Sequence, residues 1–134
     1  MRRSFERIQL TDEAKADIVK LPPAVRRAVV SVLIEIENNL SYGPPLGAQL
    51  STGDLRGCRK VYVDEPTDDK PKYRLVYWCA PDEHQPRRAV VLAVGPRKDL
   101  SVYALAAGRY NTERTRLGLL PVENLSDDEL GVQP

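Results

Sequence analysis

The chain has 134 residues, 42% hydrophobic and 29% charged, with a formal charge of +1 at neutral pH. That length fits a single domain whose core needs no staple, and the composition excludes a disordered chain. No apolar run approaches the roughly 18–20 residues of a membrane span, and the N-terminal arginines have no apolar stretch behind them, so neither an anchor nor a signal peptide is expected.

Two cysteines without an export signal imply reduced thiols and a cytoplasmic setting. Cys58 and Cys79 flank the mouth of one hairpin, which makes a cross-strand bridge geometrically conceivable. No CxxC or Cys/His zinc pattern is present, and His84 is the only histidine. After Asn111 the tail has two arginines and five carboxylates, so the first 111 residues are net basic at +4. A mild positive charge permits an anionic partner and is equally the mark of an ordinary solvated surface.

In chain order, Phe5–Leu10 alternates as a short first strand at a sheet edge. Thr11 is a candidate N-cap, followed by Asp12 and Glu13 where the helix dipole favours negative charge. Ala14, Ile18 and Leu21 mark the apolar face of a helix of about ten residues. Leu21-Pro22-Pro23 stops it, and Pro23 suits the first turn of the next helix. In that second helix Val25, Val29, Val32, Leu33, Ile36 and Leu40 follow the helical period. The two helices form a hairpin whose apolar stripes need a sheet to cover.

The glycines and prolines of Ser41–Gly53 predict a loop. A β-hairpin with a long polar link follows, its strands at Arg59–Val63 and Tyr73–Ala80. Alternation puts Lys60 and Tyr62 on one face with Arg74, Val76 and Trp78, and Val61 and Val63 on the other with Leu75 and Tyr77. The first face is expected to be wet and the second to meet the core. Pro81–Pro86 is a turn that contains His84, more simply read as solvated than catalytic. Arg88–Val94 is a nearly continuous apolar run, as for a central strand. Gly95-Pro96 should end it and leave Arg97 and Lys98 beyond the core. Leu100–Tyr110 predicts a last helix. Leu117–Pro134 lacks a sustained period and is expected to be a mobile acidic extension. The reading is an α+β domain over residues 1–110, with order β-α-α-β-β-β-α, and an extension over 111–134.

In that topology Lys60, Tyr62, Arg74 and Arg97 converge on one concave surface, with Tyr103 presented nearby from the last helix. The group has no carboxylate base, no metal ligands and no nucleophile–histidine pair. It offers positive charge and phenolic donors, the ingredients for gripping a phosphate and stabilising charge that develops on it. RNA brings its own nucleophile in the 2′-hydroxyl, so cleavage needs only positioning, proton transfer and charge compensation. Tyr62, Trp78 and Tyr103 are candidates for stacking on splayed bases, and Arg56, Arg59 and Lys98 for the RNA backbone. Cations on the solvent face of a sheet are also unexceptional, Trp78 is equally a core residue, and many basic sheets bind without cutting.

The runs Leu55-Arg56-Gly57, Cys58-Arg59-Lys60-Val61-Tyr62-Val63, Tyr73-Arg74-Leu75-Val76-Tyr77, Val94-Gly95-Pro96-Arg97 and Val102-Tyr103, with Ala106 and Arg109, carry a resemblance. From Phe5 to Arg109 the chain resembles the RelE/ParE superfamily of toxin–antitoxin toxins. The resemblance implies two N-terminal helices and a C-terminal helix packed on a small twisted antiparallel sheet, and neutralisation by a cognate antitoxin. RelE-like members cut mRNA in the ribosomal A site without metal or cofactor, whereas ParE-like members inhibit gyrase. This sequence is similar to the RelE side. Lys60 matches the first lysine of a Lys-x-Lys pair, Arg74 the strand arginine, Arg97 the arginine after the Val-Gly turn, and Tyr103 the tyrosine of the Val-Tyr pair. The resemblance implies that Arg74 and Lys60 neutralise the phosphate, Arg97 assists at the leaving 5′-oxygen, and Tyr103 orients or stacks. Two positions depart from the pattern. Tyr62 stands where many members have the second lysine, often the base, and a phenol with an ordinary pKa near 10 needs help to act as one. The departure leaves three readings: Lys60 or Tyr62 takes the proton, cleavage is slow, or the chain is a catalytically degenerate member of the family. Pro96 replaces a commonly basic turn residue.

Overall fold

The computed structural model describes residues 5–49, 52–63 and 72–132. The polar link of the hairpin lies mostly outside them. Strand β1 (Ile8–Leu10) runs into helix α1 (Asp12–Val19), which is eight residues long. Thr11 caps it as expected, its hydroxyl oxygen accepting from the Ala14 N–H at 3.0 Å. The same hydroxyl donates to the Val91 carbonyl at 3.1 Å, so the cap also pins the helix to the sheet. Helix α2 (Pro23–Asn38) starts on Pro23 and buries Val25, Val29, Leu33 and Ile36. Each such side chain is worth about 1.5–3 kcal/mol of burial, which offsets the low helix propensity of its valines and isoleucines.

The segment read as a loop between Ser41 and Gly53 has structure of its own. Strands β2 (Ala48–Gln49) and β3 (Gly53–Asp54) form a small antiparallel pair. Just before them the chain lies along the edge of β4 (Cys58–Tyr62): Leu46 N–H donates to the Cys58 carbonyl at 2.9 Å and Lys60 N–H to the Pro44 carbonyl at 3.1 Å. Glycine at 53, with φ of 113°, admits the β2–β3 turn against the last helix, where a Cβ would lie 2.6 Å from the Ala107 methyl.

Strands β5 (Tyr73–Ala80) and β6 (Arg88–Pro96) complete a four-stranded sheet of order β1-β6-β5-β4. The last three strands are antiparallel, as predicted, but β1 pairs with β6 in parallel, so the sheet is mixed. The ladder also continues through Gly95 and Pro96, opposite Arg74 and Tyr73, instead of stopping at Val94. Pro96 is tolerated because, like the Val94 N–H two residues earlier, its nitrogen faces the edge of β6 that the short β1 leaves uncovered. In the β5–β6 ladder a bulge at Leu92 breaks the register, and on the open side of β6 two side chains engage the backbone next to it. Asp17 of α1 accepts from Val94 N–H at 3.1 Å, and Arg109 donates to the Leu92 carbonyl at 3.0 Å. The two side chains pair with each other at 2.6 Å.

Helix α3 (Ser101–Arg116) follows a 3₁₀ turn at Lys98–Leu100 and extends six residues past the predicted end at Tyr110. It covers the sheet face that was expected to be wet. Val76, Trp78, Val90, Leu92, Val102, Ala106 and Tyr110 form a second core there, opposite the one between α1, α2 and the other face. The chain after residue 111 belongs to that second core. Val122 and Leu130 are buried in it, and a short helix α4 (Asp127–Leu130) begins with a capping box at Ser126 and Glu129. The predicted boundary at residue 110 therefore falls inside α3, and the acidic segment is seated rather than loose. Its apolar residues are too widely spaced to show a period, yet Leu119, Val122, Leu125, Leu130 and Val132 pack in or against the second core, while Leu117 and Leu120 stay exposed.

Candidate functional site

Where α3 begins, the second face of the sheet is left open. The alternation of β4 brings Lys60 and Tyr62 to this opening, and cross-strand register sets Arg74 of β5 directly opposite Tyr62. Arg74 is in turn opposite Gly95 of β6. Arg97 follows at the strand's end, held by its N–H donating to the Lys72 carbonyl at 2.8 Å. Asp99 and Leu100 then take left-handed conformations, with φ of 57° and 58°, to turn the chain into α3. Non-glycine residues resist that region, and such local strain concentrates at functional sites. Here it sets Leu100 in the wall and delivers Tyr103 on the first turn of the helix.

These residues line a cavity of about 250 Å³, together with Leu46 and Thr52. All five residues predicted to act on a substrate, Lys60, Tyr62, Arg74, Arg97 and Tyr103, lie in its wall. Three are cations, and no carboxylate is among the described residues of the lining. The Arg74 guanidinium is buried, stacks on the Tyr62 ring at 4.0 Å, and donates to the Tyr73 carbonyl at 3.0 Å. The Lys60 ammonium lies between two rings, 5.7 Å from the centre of Tyr62 and 6.0 Å from that of Tyr103. Both distances are within the range where a ring face attracts a cation. The arrangement suits a bound anion, with aromatic surface at hand for whatever the anion is attached to. Among the described residues, no group of three or more His, Cys, Asp or Glu is placed to hold a metal ion.

The residues expected to contact an RNA backbone or base fare differently. Trp78 is 1% exposed and packs against Tyr110 at 5.6 Å, with Arg114 over both rings, so it has no face to offer a base. Arg56 is engaged by Asp54 at 2.7 Å and Asp127 at 2.9 Å, and donates to the Val122 carbonyl. Burial pushes the Asp54 carboxyl up, but Arg56 overcomes that and holds it below the usual range. Arg59 faces the other side of β4, where it meets Glu83 at 3.5 Å and donates to the Ser41 and Gly43 carbonyls. Lys98 is exposed but outside the cavity wall.

The cysteine bridge is not formed. Cys58 pairs in register with Trp78, so Cys79, one residue on, points to the opposite face. Both thiols are buried, and burial pushes that of Cys79 up to about 12. His84 lines a separate cleft with Arg59 and Glu83, whose carboxyl is raised by burial. The wall residues Leu46, Thr52 and Leu100 were not anticipated. Leu46 lies just before β2 and Thr52 just before β3, in a stretch whose glycines and prolines signalled only a loop.

No protein-family model matches the sequence, and no curated protein does. Solved structures do. One is a mutant of the Escherichia coli toxin RelE in the free state, 21% identical, with a TM-score of 0.53 over 77% of this chain and 95% of that one. Another is the RelBE2 toxin–antitoxin complex from Mycobacterium tuberculosis, 25% identical, with a TM-score of 0.50 over 68% of this chain and 96% of that one. The fold is RelE-like. The α+β architecture expected from sequence is therefore the observed one, with the mixed sheet and seated tail described above. In this RelE-like domain the open end of the β4–β5 face, beside the start of α3, is the cationic cavity. No helix among the described residues is long and apolar enough to cross a membrane.

Proposed function

We propose that this RelE-like protein is the toxin of a toxin–antitoxin pair, and that it cleaves ribosome-bound mRNA at the cationic cavity without a metal ion. The observation that carries the reading is the assembly of Lys60, Tyr62, Arg74, Arg97 and Tyr103 around one cavity, from three strands and a helix. The ribose 2′-hydroxyl attacks the adjacent phosphorus, the bond to the 5′-oxygen breaks, and a 2′,3′-cyclic phosphate and a 5′-hydroxyl result. Arg74 and Lys60 compensate the negative charge that grows on the phosphoryl oxygens. Arg97, exposed on the rim, faces the departing 5′-oxygen. Proton removal falls to Tyr62 as the phenolate or to Lys60 as the free amine, which then becomes the ammonium that compensates the phosphoryl charge, and the proton taken up passes on to the departing 5′-oxygen. The buried Arg74 is held between Tyr62 and the Tyr73 carbonyl, so its charge is positioned before substrate arrives.

The reading places the protein in the cytoplasm with ribosomes and a cognate antitoxin as partners. The solved toxin–antitoxin complex from M. tuberculosis supports the antitoxin. Primer extension on ribosome-bound mRNA should show new 5′ ends on induction of the protein, and Arg97→Ala should abolish them. Intact mRNA in cells arrested by a folded protein would overturn cleavage and favour a toxin that acts by binding, such as a gyrase inhibitor. Failure of supercoiling, unaffected by Arg97→Ala, would identify that case.

A further inference from the structure

A second cleft adjoins the cationic cavity and shares two of its residues. It measures about 360 Å³ and is lined by Tyr42, Gly43, Pro44, Lys60, Val61 and Tyr62. We propose that this cleft is a nucleobase subsite, which takes one unstacked base of the same single-stranded RNA against Tyr42 and Tyr62. The proposal rests on the RNA reading of the neighbouring cavity.

Three observations support it. First, Tyr62 forms part of both walls. Arg74 lies against its ring in the cationic cavity, while 54% of the residue remains exposed to offer surface to the second cleft. A strand whose phosphate sits by Lys60 and Arg74 thus has an aromatic surface one side chain away.

Second, the character of the lining changes across Tyr62. Arg74 and Arg97 are replaced by Tyr42 and Pro44, leaving Lys60 on the shared border as the one cation in the described lining. Tyr42 is 45% exposed despite its large apolar ring. Charge on one side and aromatic surface on the other is the pairing that single-stranded nucleic acid demands, because each nucleotide is half anion and half ring.

Third, the far wall is fixed in place. The Tyr42–Leu46 segment is bolted to β4 by Lys60 N–H donating to Pro44 and Leu46 N–H donating to Cys58. Gly43 N–H donates to the buried Tyr77 hydroxyl at 3.1 Å, and that hydroxyl donates to the Leu40 carbonyl at 2.9 Å. Only glycine fits at 43, because a Cβ there would overlap the Lys60 carbonyl. A wall held this way gives stacking surface with little ordering cost on binding.

The test uses a fluorescent single-stranded RNA made uncleavable by 2′-deoxy substitution at the scissile position, and the same strand with an abasic site scanned across it. Tyr42→Ala should weaken binding roughly 5- to 150-fold, the range for loss of one base–aromatic stack. Tyr42→Phe should stay near wild type. One abasic position should reproduce the Tyr42→Ala loss and make the two defects non-additive. Tyr42 is exposed, so Tyr42→Ala should melt like wild type; Tyr42→Leu is a second variant that keeps apolar bulk without a ring and should also bind weakly. If Arg97→Gln weakens binding and Tyr42→Ala does not, the subsite is overturned and the phosphate site stands. If neither does, or no abasic position matters, the subsite falls, and with the first outcome the RNA reading of the cavity falls with it.

Discussion

Arg97→Gln isolates the electrostatics of the cavity. Arg97 is exposed at the end of β6, and its tie to the sheet is a backbone hydrogen bond that the substitution leaves intact. Single-stranded nucleic acid releases about 0.7 counterion per phosphate contact, so three cations engaged together predict a slope near −2 for log affinity against log salt. Removing one should reduce it to about −1.4. At low salt the lost charge-assisted contact should cost about 1–2 kcal/mol, the lower part of the usual range because Arg97 is exposed. Fluorescence anisotropy of a labelled, uncleavable RNA across about 50 to 300 mM salt reads both quantities. Arg56→Gln is the control, since Arg56 is already engaged by Asp54 and Asp127, and its slope should match wild type. An unchanged slope in Arg97→Gln, or an equal fall in Arg56→Gln, would refute the assignment of the anion to this cavity.

Two further outcomes concern residues whose roles the fold reassigns. Trp78→Ala should destabilise the protein by about 3–5 kcal/mol in urea denaturation; Trp78→Phe, which stays folded, should leave RNA affinity at the wild-type value because Trp78 is sealed in the second core. Arg109→Ala should cost about 2–4 kcal/mol, since it leaves Asp17 and the Leu92 carbonyl without their partner beside the bulge. Thr112→Ala, three residues on and exposed, should be near neutral in the same denaturation assay.

Much of the fold was legible because it depends on short-range geometry. Thr11 followed by two acids declares a helix start, and the valine spacing of α2 declares which side is buried. The hairpin strands were legible for the same reason. A strand alternates its faces whatever surrounds it, so the sequence alone put Lys60, Tyr62 and Arg74 together, and all three line the cavity. Arg97 and Tyr103 were placed beside them by the order of strands and helix, and the motif resemblance then matched both, but their separation of six residues hides the left-handed pair at Asp99 and Leu100 that aims them.

What stayed hidden depended on residues far apart in the chain. Nothing near Arg56 or Arg59 says that Asp127 and Glu83 will be their partners, so an occupied arginine reads like an available one. The parallel placement of β1 and the bridge from Asp17 to Arg109 around the β6 edge are likewise long-range facts. Trp78 shows the division most sharply. Alternation fixed its face correctly, on the same side as Lys60 and Arg74. Whether that face was wet or dry was decided by α3 and the tail, which bury the Trp78 end and leave the Tyr62 end open. The sequence determined by itself which side chains share a surface, because that is set by backbone period. Only the tertiary structure decided which part of the surface meets solvent, because coverage is set by elements whose weak periods and distant contacts leave no local mark.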